Sequence, residues 1–328
     1  MKAVVFKNKK ISVTDVPMPV PSENEALVKI HLAGICATDV ELLKGYHDFA
    51  GIPGHEFIGI VHCAPDQPGL EGRRIVADIN CGCGVCDICL TGDQRHCANR
   101  GVIGIRARNG AFAEYCNIPL SNLYVVPDSI EDESAVFAEP LAAALEIVRQ
   151  VHVTERSRVA VLGDGKMGLL CALVLQQFAP NTVLIGHHPD KLSIAGEQGV
   201  RTIFRSKNET DQNLAVHVKD FELVVEASGC ANGINEAICM VRPEGTVVIK
   251  TTSFEKSVID FSAVVVNELN LIGSRCGDIA QALDFMEKKM IDFCPMIEAV
   301  YSLGDFEKAF AHAGRKGSLK ILIGNKNE

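Results

Sequence analysis

The sequence predicts an α/β protein built from a β-rich part and a doubly wound parallel sheet. Three observations carry that prediction. Up to about residue 140 of the 328, short strand-like runs are broken by Gly and Pro, and beyond Glu139 apolar strands alternate with helical patterns. A glycine-rich loop at 163–168 joins a strand to a helix in the second part. Four regularly spaced cysteines between 83 and 97 mark a small metal-braced lobe in the first.

In the first part, residues 4–6, 26–32 and 57–62 read as strands, and Pro17, Pro19 and Pro21 mark an extended crossing. In the second, a helix over 141–151 leads into strand 159–162, helix 168–178, strand 182–185 and helix 191–198. Strand 223–226, helix 233–240 and strand 246–249 continue the alternation. Helices at 279–290 and 305–313 and a closing strand at 319–323 follow. Val- and Ile-rich strands separated by helices are the pattern of a parallel sheet covered on both faces.

A hydrophobic content of 47% with 22% charged residues describes a soluble globular chain with a sizeable core. The formal charge of −9, with no basic run, excludes nucleic acid as a main partner. Residues 1–7 read as a strand with no apolar signal core behind it. The apolar stretch 159–175 is interrupted by Asp164 and Lys166, so no membrane span is expected. Thirteen cysteines, an odd number, do not make a secreted disulfide framework, and the expected compartment is the cytosol. Five of them fall in candidate metal groups. The other eight (Cys63, Cys81, Cys116, Cys171, Cys230, Cys239, Cys276, Cys294) are expected mostly as reduced thiols in apolar surroundings.

Cys83-x-x-Cys86-x-x-Cys89, closed by Cys97, supplies four soft ligands from one short stretch, with Gly82, Gly84 and Gly92 allowing the chain to reverse. Four thiolates leave no open position, so this lobe (about 81–98) is expected to hold a structural zinc. Cys81 rivals Cys83, but only Cys83 keeps the even step. Buried free thiols and an iron–sulfur cluster are the alternatives.

Gly163-Asp164-Gly165-Lys166-Met167-Gly168 has the form G-x-G-x-x-G between strand and helix. Gly163 permits the tight turn, Gly165 lets backbone amides approach a pyrophosphate, and Gly168 lets the helix pack close to the sheet. An ordinary glycine turn is the alternative. The acid expected about twenty residues on, to bind the adenine ribose, is missing. Gly186-His187-His188 stands there, with Lys191 nearby, and Asp190 lies slightly too far along. Loss of the acid favours NADP(H) over NAD(H), unless the two histidines are bystanders in a loop.

Cys36 in GICATD, His55-Glu56 in GHEF and Glu139 in FAEPLAAA are each unremarkable alone. Together with the thiol lobe, NGAFAEY, VAVLGDGKMG and IGSRCGD, they fall in an order that resembles the zinc-dependent medium-chain dehydrogenase/reductase family, in its polyol, secondary-alcohol and threonine dehydrogenase branch. The resemblance spans nearly the whole chain. It implies a GroES-like catalytic domain from residues 1–141 and 275–328, enclosing a Rossmann dinucleotide-binding domain at 142–274. It implies a second, catalytic zinc on Cys36, His55 and Glu139, with Glu56 a close acid able to enter the coordination sphere. Thr38 takes the alcohol proton, Asp39 orients His55, Lys320 faces the cofactor phosphates, and Ser228 joins Gly163, Gly165, Lys166, Met167, Gly168, His187, His188 and Lys191 in holding NADP(H).

The implied activity is reversible hydride transfer between NAD(P) and a small secondary alcohol, polyol or hydroxy amino acid. A homodimer or homotetramer is implied, paired at the sheet edge near 264–271. Two positions depart from the family: Glu41 stands where many relatives have a relay histidine, and 72–76 reads Gly-Arg-Arg-Ile-Val in place of the usual GDRV. Proton exit is left to Glu41, His47 or water, and Tyr46, His47 and Ile105 are candidate pocket wall. A zinc-free quinone or enoyl reductase has no use for the ligand set. A non-catalytic NADP-binding sensor has none for Thr38 and Asp39.

Overall fold

The structure is a computed structural model and describes residues 1–7, 10–43, 49–206, 219–252 and 256–324. Tyr46 and His47 lie outside them. In chain order come β1 (Lys2–Lys7), β2 (Lys10–Asp15), β3 (Glu25–Ile35), α1 (Ala37–Leu43), β4 (Glu56–Cys63), β5 (Arg74–Ala77), β6 (Asn80–Cys81) and α2 (Asp87–Leu90). β7 (Gly101–Ile103), β8 (Ala107–Arg108), β9 (Tyr115–Pro119), β10 (Leu123–Val125), α3 (Asp132–Ala135) and α4 (Ala138–Gln150) follow. Next are β11 (Val159–Leu162), α5 (Lys166–Gln176), β12 (Val183–Gly186), α6 (Pro189–Glu197), β13 (Arg201–Phe204), β14 (Phe221–Glu226), α7 (Gly233–Met240) and β15 (Val241–Ile249). The chain closes with α8 (Phe261–Val266), β16 (Asn270–Gly273), α9 (Ile279–Glu287), β17 (Ile297–Ser302), α10 (Phe306–Ala313) and β18 (Lys320–Gly324).

Two units share these elements: Met1–Glu139 with Asp278–Lys289 and Phe293–Glu328, and Pro140–Gly277 with Met290–Asp292. The sequence boundaries were 141/142 and 274/275. The first falls earlier, inside α4, with Glu139 the last residue of the leading stretch of the first unit.

The first unit is β-rich. Its main sheet runs β10-β5-β4-β3-β18-β17, with β9 also on β3. β18 pairs antiparallel with β3, Ile321 facing Ile35, which ties the end of the chain to its first third. β6, β7 and β8 form a small sheet beside the cysteine lobe. Phe112, Phe137, Phe306, Ile30 and Ile58 are among its fully buried side chains.

The second unit has the strand order β13-β12-β11-β14-β15-β16, all parallel, which in chain order is 3-2-1-4-5-6. The four residues of β11 are all buried and apolar, as a strand covered on both faces requires. Its order reverses between β11 and β14, and at such a switch point open α/β sheets bind their ligands. β16 is an edge. β13, β17 and the β1–β2 hairpin were not expected from sequence: β17 alternates half-buried and exposed, too weak an apolar pattern to stand out.

No described helix is long and apolar enough to cross a membrane. None of the thirteen cysteines is in a disulfide. Outside the metal groups, Cys81, Cys116 and Cys171 are buried and Cys230, Cys239 and Cys294 are exposed, the three exceptions to the apolar surroundings expected of most of these thiols.

Candidate active site and its neighbouring metal lobe

β3 ends at Ile35, and Cys36 begins the turn into α1. On the adjacent strand Glu56 pairs with Gly34, so His55 and Glu56 come up beside Cys36. One donor atom each from Cys36, His55 and Glu56 lie within 4.8 Å of one another. A thiolate, an imidazole and a carboxylate converging on one point suit zinc with a position to spare. His55 and Glu56 are buried, whereas Cys36 and Thr38 keep some exposure, so the open side is that of the α1 turn.

Behind the cluster stands Asp39, 2% exposed. Its Oδ2 accepts the Cys36 N–H at 2.8 Å, and its Oδ1 lies 3.3 Å from His55 Nδ1. One buried carboxylate thus bonds the backbone at one ligand and stands beside the ring of another, at a distance from which an aligned hydrogen bond would set the histidine's tautomer. Burial works against a charged His55, but Asp39 and then Cys36 outweigh it and hold its pKa well above the ordinary value. Thr38 Oγ1 is 3.7 Å from Cys36 Sγ.

Two further expected site residues lie close by. Glu139, in the first turn of α4, does not join the group whose donors all lie within 4.8 Å; Glu56 does. Burial first, and then the Glu56 charge, hold the Glu139 carboxyl above its usual value against the opposing pull of His55 and Lys320. Lys320, expected at the cofactor phosphates, is buried and donates to Glu56 Oε2. Gly34 makes room for that pair: a Cβ there would meet Glu56 Oε2 at 2.8 Å and Lys320 Cδ at 3.1 Å. Desolvation disfavours the Lys320 charge, but Glu56 and Cys36 overcome it and raise its pKa.

In the lobe, donor atoms of Cys83, Cys86, Cys89 and Cys97 also lie within 4.8 Å of one another. Cys83 Sγ is 4.0 Å from Cys89 Sγ, and Cys86 Sγ is 3.8 Å from Cys97 Sγ. Cys81 points to the Ile79 carbonyl instead. Gly84 and Gly92 have φ of +75° and +83°, while Gly82 is needed for space, its Cβ position being 2.6 Å from Cys89 Sγ. Backbone N–H groups of Val85 and Cys86 bring the Cys83 thiol down to about 6. Cys89 also receives a backbone bond, from Gly84, but desolvation and its sister thiols push it up to about 11. Four thiols this close ionise together only around a cation, and tetrahedral zinc fits them.

The glycine loop behaves as its pattern implies. Gly163 has φ +114°, with a Cβ position 2.5 Å from the Ala227 carbonyl oxygen, and the Gly168 position is 1.8 Å from the Gly163 carbonyl oxygen. Gly165 has nothing within 4 Å and stands directly before α5, so backbone amides at that helix start are open to an anion. Lys166 and Met167 begin α5, partly exposed. Ser228 is tied down, its N–H and hydroxyl both donating to Glu226 Oε1 at 2.9 and 2.6 Å. His187 and His188 are partly exposed at the end of β12. Lys191 is 5% exposed and packs in α6, so it is no open cation beside them.

Sequence reasoning missed Asp164, Glu226 and the Lys320–Glu56 pair. Asp164 Oδ2 accepts the N–H groups of both His187 and His188 at 2.7 Å. Its signal was an acid inside a phosphate-binding loop, where charge is unfavourable unless it turns away.

Of the expected pocket wall, Ile105 is buried. Two surface cavities of about 580 and 650 Å³ lie in the first unit, around Met1, Val16, Arg108 and Asn117 and around Ser22, Gln67, Arg108 and Ser121. Neither is lined by a metal-cluster residue.

Residues 22–128 match the family profile described as alcohol dehydrogenase GroES-like domain. Residues 133–323, more than half of the chain, match that described as glucose dehydrogenase C-terminus. The chain is 25% identical over 327 residues to sorbitol dehydrogenase of Halalkalibacterium halodurans, covering 95% of each. It resembles the structure of RspB, an alcohol dehydrogenase of Escherichia coli CFT073 complexed with NADH, with TM-score 0.90, 25% identity and 99% of each chain covered. A protein of Sinorhizobium meliloti 1021 assigned as a zinc-binding dehydrogenase, bound to NADP, is similar with TM-score 0.87 and 30% identity over 98% of each chain.

Proposed function

This chain belongs to the zinc-dependent medium-chain dehydrogenase/reductase family, and we propose that it carries its catalytic zinc on Cys36, His55 and Glu56. It is an oxidoreductase that moves hydride between a nicotinamide cofactor and a small secondary alcohol, polyol or hydroxy amino acid. The observation that supports this site is the convergence of the three donors with Asp39 behind His55. Zinc bound there supplies Lewis-acid polarisation of an alcohol or carbonyl oxygen, and the nicotinamide supplies the hydride partner.

The chain's own groups do the rest. Thr38, beside Cys36 on the open side, takes the alcohol proton. Asp39 keeps His55 turned to the metal. Lys320 balances the charge of Glu56, and Glu139 faces the cluster as a further acid. Glu41 of α1 or solvent passes the proton on.

A second, closed zinc on Cys83, Cys86, Cys89 and Cys97 braces the lobe, giving two per chain. The cofactor is NADP(H) in preference to NAD(H), because no acid is presented to the ribose at the end of β12. Gly163, Gly165, Lys166, Met167, Gly168 and Ser228 hold the nucleotide, with His187 and His188 at its adenosine end.

The chain works as a homodimer or homotetramer in the cytosol. Among the described residues β16 is an edge strand of its sheet, and Phe261, Val265 and Val266 of the preceding α8 are exposed.

Elemental analysis with stepwise chelation tests the reading. Two zinc ions per chain are expected, the first removed together with all turnover while the fold persists. One zinc or none in active protein overturns it. A screen of alcohols and polyols for NADPH formation then identifies the substrate.

A further inference from the structure

A phosphate-binding glycine turn has no use for a carboxylate, since an acid there repels the anion that the helix amides attract. Asp164 occupies such a turn, and its side chain is 7% exposed. It reaches to the end of β12, where Oδ2 accepts the His187 and His188 N–H groups and Oδ1 lies 2.9 Å from His188 Nδ1. Gly186 just before them leaves room for it: a Cβ there would stand 2.3 Å from Asp164 Oδ2. A carboxylate is therefore present where the strand-end acid was missing. It arrives from the loop after β11 and lies under the turn.

The consequence is for the two imidazoles. His187 Nδ1 lies 2.7 Å from the Arg205 carbonyl oxygen, which only accepts, so this nitrogen carries the hydrogen. His188 Nδ1 faces a carboxylate and does the same. Each ring is held through Nδ1–H, so its Nε2 accepts from a ligand when the ring is neutral and donates to a phosphate oxygen only when the ring is protonated. The other cations nearby are engaged or covered: Arg205 pairs with Glu236, and Lys191 is packed in α6.

We infer that Asp164 is a positioning residue for nucleotide recognition, holding the His188 ring at the adenosine-ribose end so that a 2′-phosphate meets an imidazole and no exposed acid. This rests on the NADP(H) reading above. Its action runs through His188, so the two residues are energetically coupled.

The experiment uses the full-length chain and two probes that isolate the adenosine end, adenosine 2′,5′-bisphosphate and AMP. Their affinities are measured by calorimetry for wild type, Asp164→Asn, His188→Gln and the double variant. Wild type is expected to prefer the bisphosphate. Each single variant should lose about tenfold of that affinity, the scale of one hydrogen bond to a charged group, with AMP nearly unchanged. The double variant should lose no more than either single one. Equal losses for both probes would make Asp164 a mere turn former, and additive losses would show that it acts apart from His188; either overturns the inference. His188→Gln leaves both backbone bonds to Asp164 in place, so absence of selective loss there overturns it even if the Asp164 variant misfolds. A wild type that prefers AMP refutes the NADP(H) reading alone, and non-additivity measured on AMP then still decides whether the two residues are coupled.

Discussion

The two candidate metal groups of the first unit differ in how the chain builds them. The thiol lobe comes from fifteen consecutive residues (83–97), and its geometry is a property of local turns at Gly84 and Gly92. The Cys36, His55 and Glu56 cluster is assembled around β3, which pairs with β4 on one edge and with β18 on the other, and Lys320 of β18 reaches Glu56 across 264 residues of chain. The lobe spends all four donors on closing itself. The cluster keeps a side open, and it needs Asp39 and Lys320 to hold buried charges that a closed thiolate site manages with metal alone. A group that must stay open to substrate borrows its rigidity from the surrounding sheet.

That contrast breaks first at Cys36. Cys36→Ala should lower turnover by at least about a thousandfold, the scale of losing Lewis-acid stabilisation, while nucleotide affinity stays within about twofold. Residual turnover near wild type would remove the cluster from the chemistry. Cys89→Ala should instead lower the melting temperature by on the order of 10 °C, since it opens a metal cross-link. Lost activity with an unchanged melting temperature in that variant would reverse the two roles.

Lys320→Met sharpens the comparison by stranding Glu56. Breaking one partner from a buried pair should cost about 3 kcal/mol in denaturant titration, with much of it recovered in Lys320→Met/Glu56→Gln. If the single and double variants are equally unstable, the ammonium does not serve Glu56.

The smallest effect concerns Asp164, which like the cluster depends on distant chain. Burial opposes its charge, but hydrogen bonds from His188 and His187 outweigh this and hold its carboxyl below the usual range. A depressed folded-state pKa contributes stability above the unfolded value of about 3.9 and loses it as pH falls through the folded one. The wild type should therefore be more stable than Asp164→Asn at pH 7, with the gap closing below about pH 4. An equal gap at pH 3 and pH 7 would show that the carboxylate charge is not what stabilises the turn.

Much of this molecule is written in short-range pattern. The even step of Cys83, Cys86 and Cys89, the glycine loop after an apolar strand, and the alternation of buried strands with helices each depend on neighbours within a turn or two, so residue order alone determines them. Tertiary structure decided that a Glu56 donor gathers with those of Cys36 and His55, because the β3–β4 register brings the ends of the two strands together. It likewise set Lys320 against Glu56, and brought Asp164 to a turn 23 residues downstream. Buried charges seek the nearest opposite charge or donor in space, and nearness in space across a sheet or between adjacent parallel strands leaves no periodicity in the chain from which to read it.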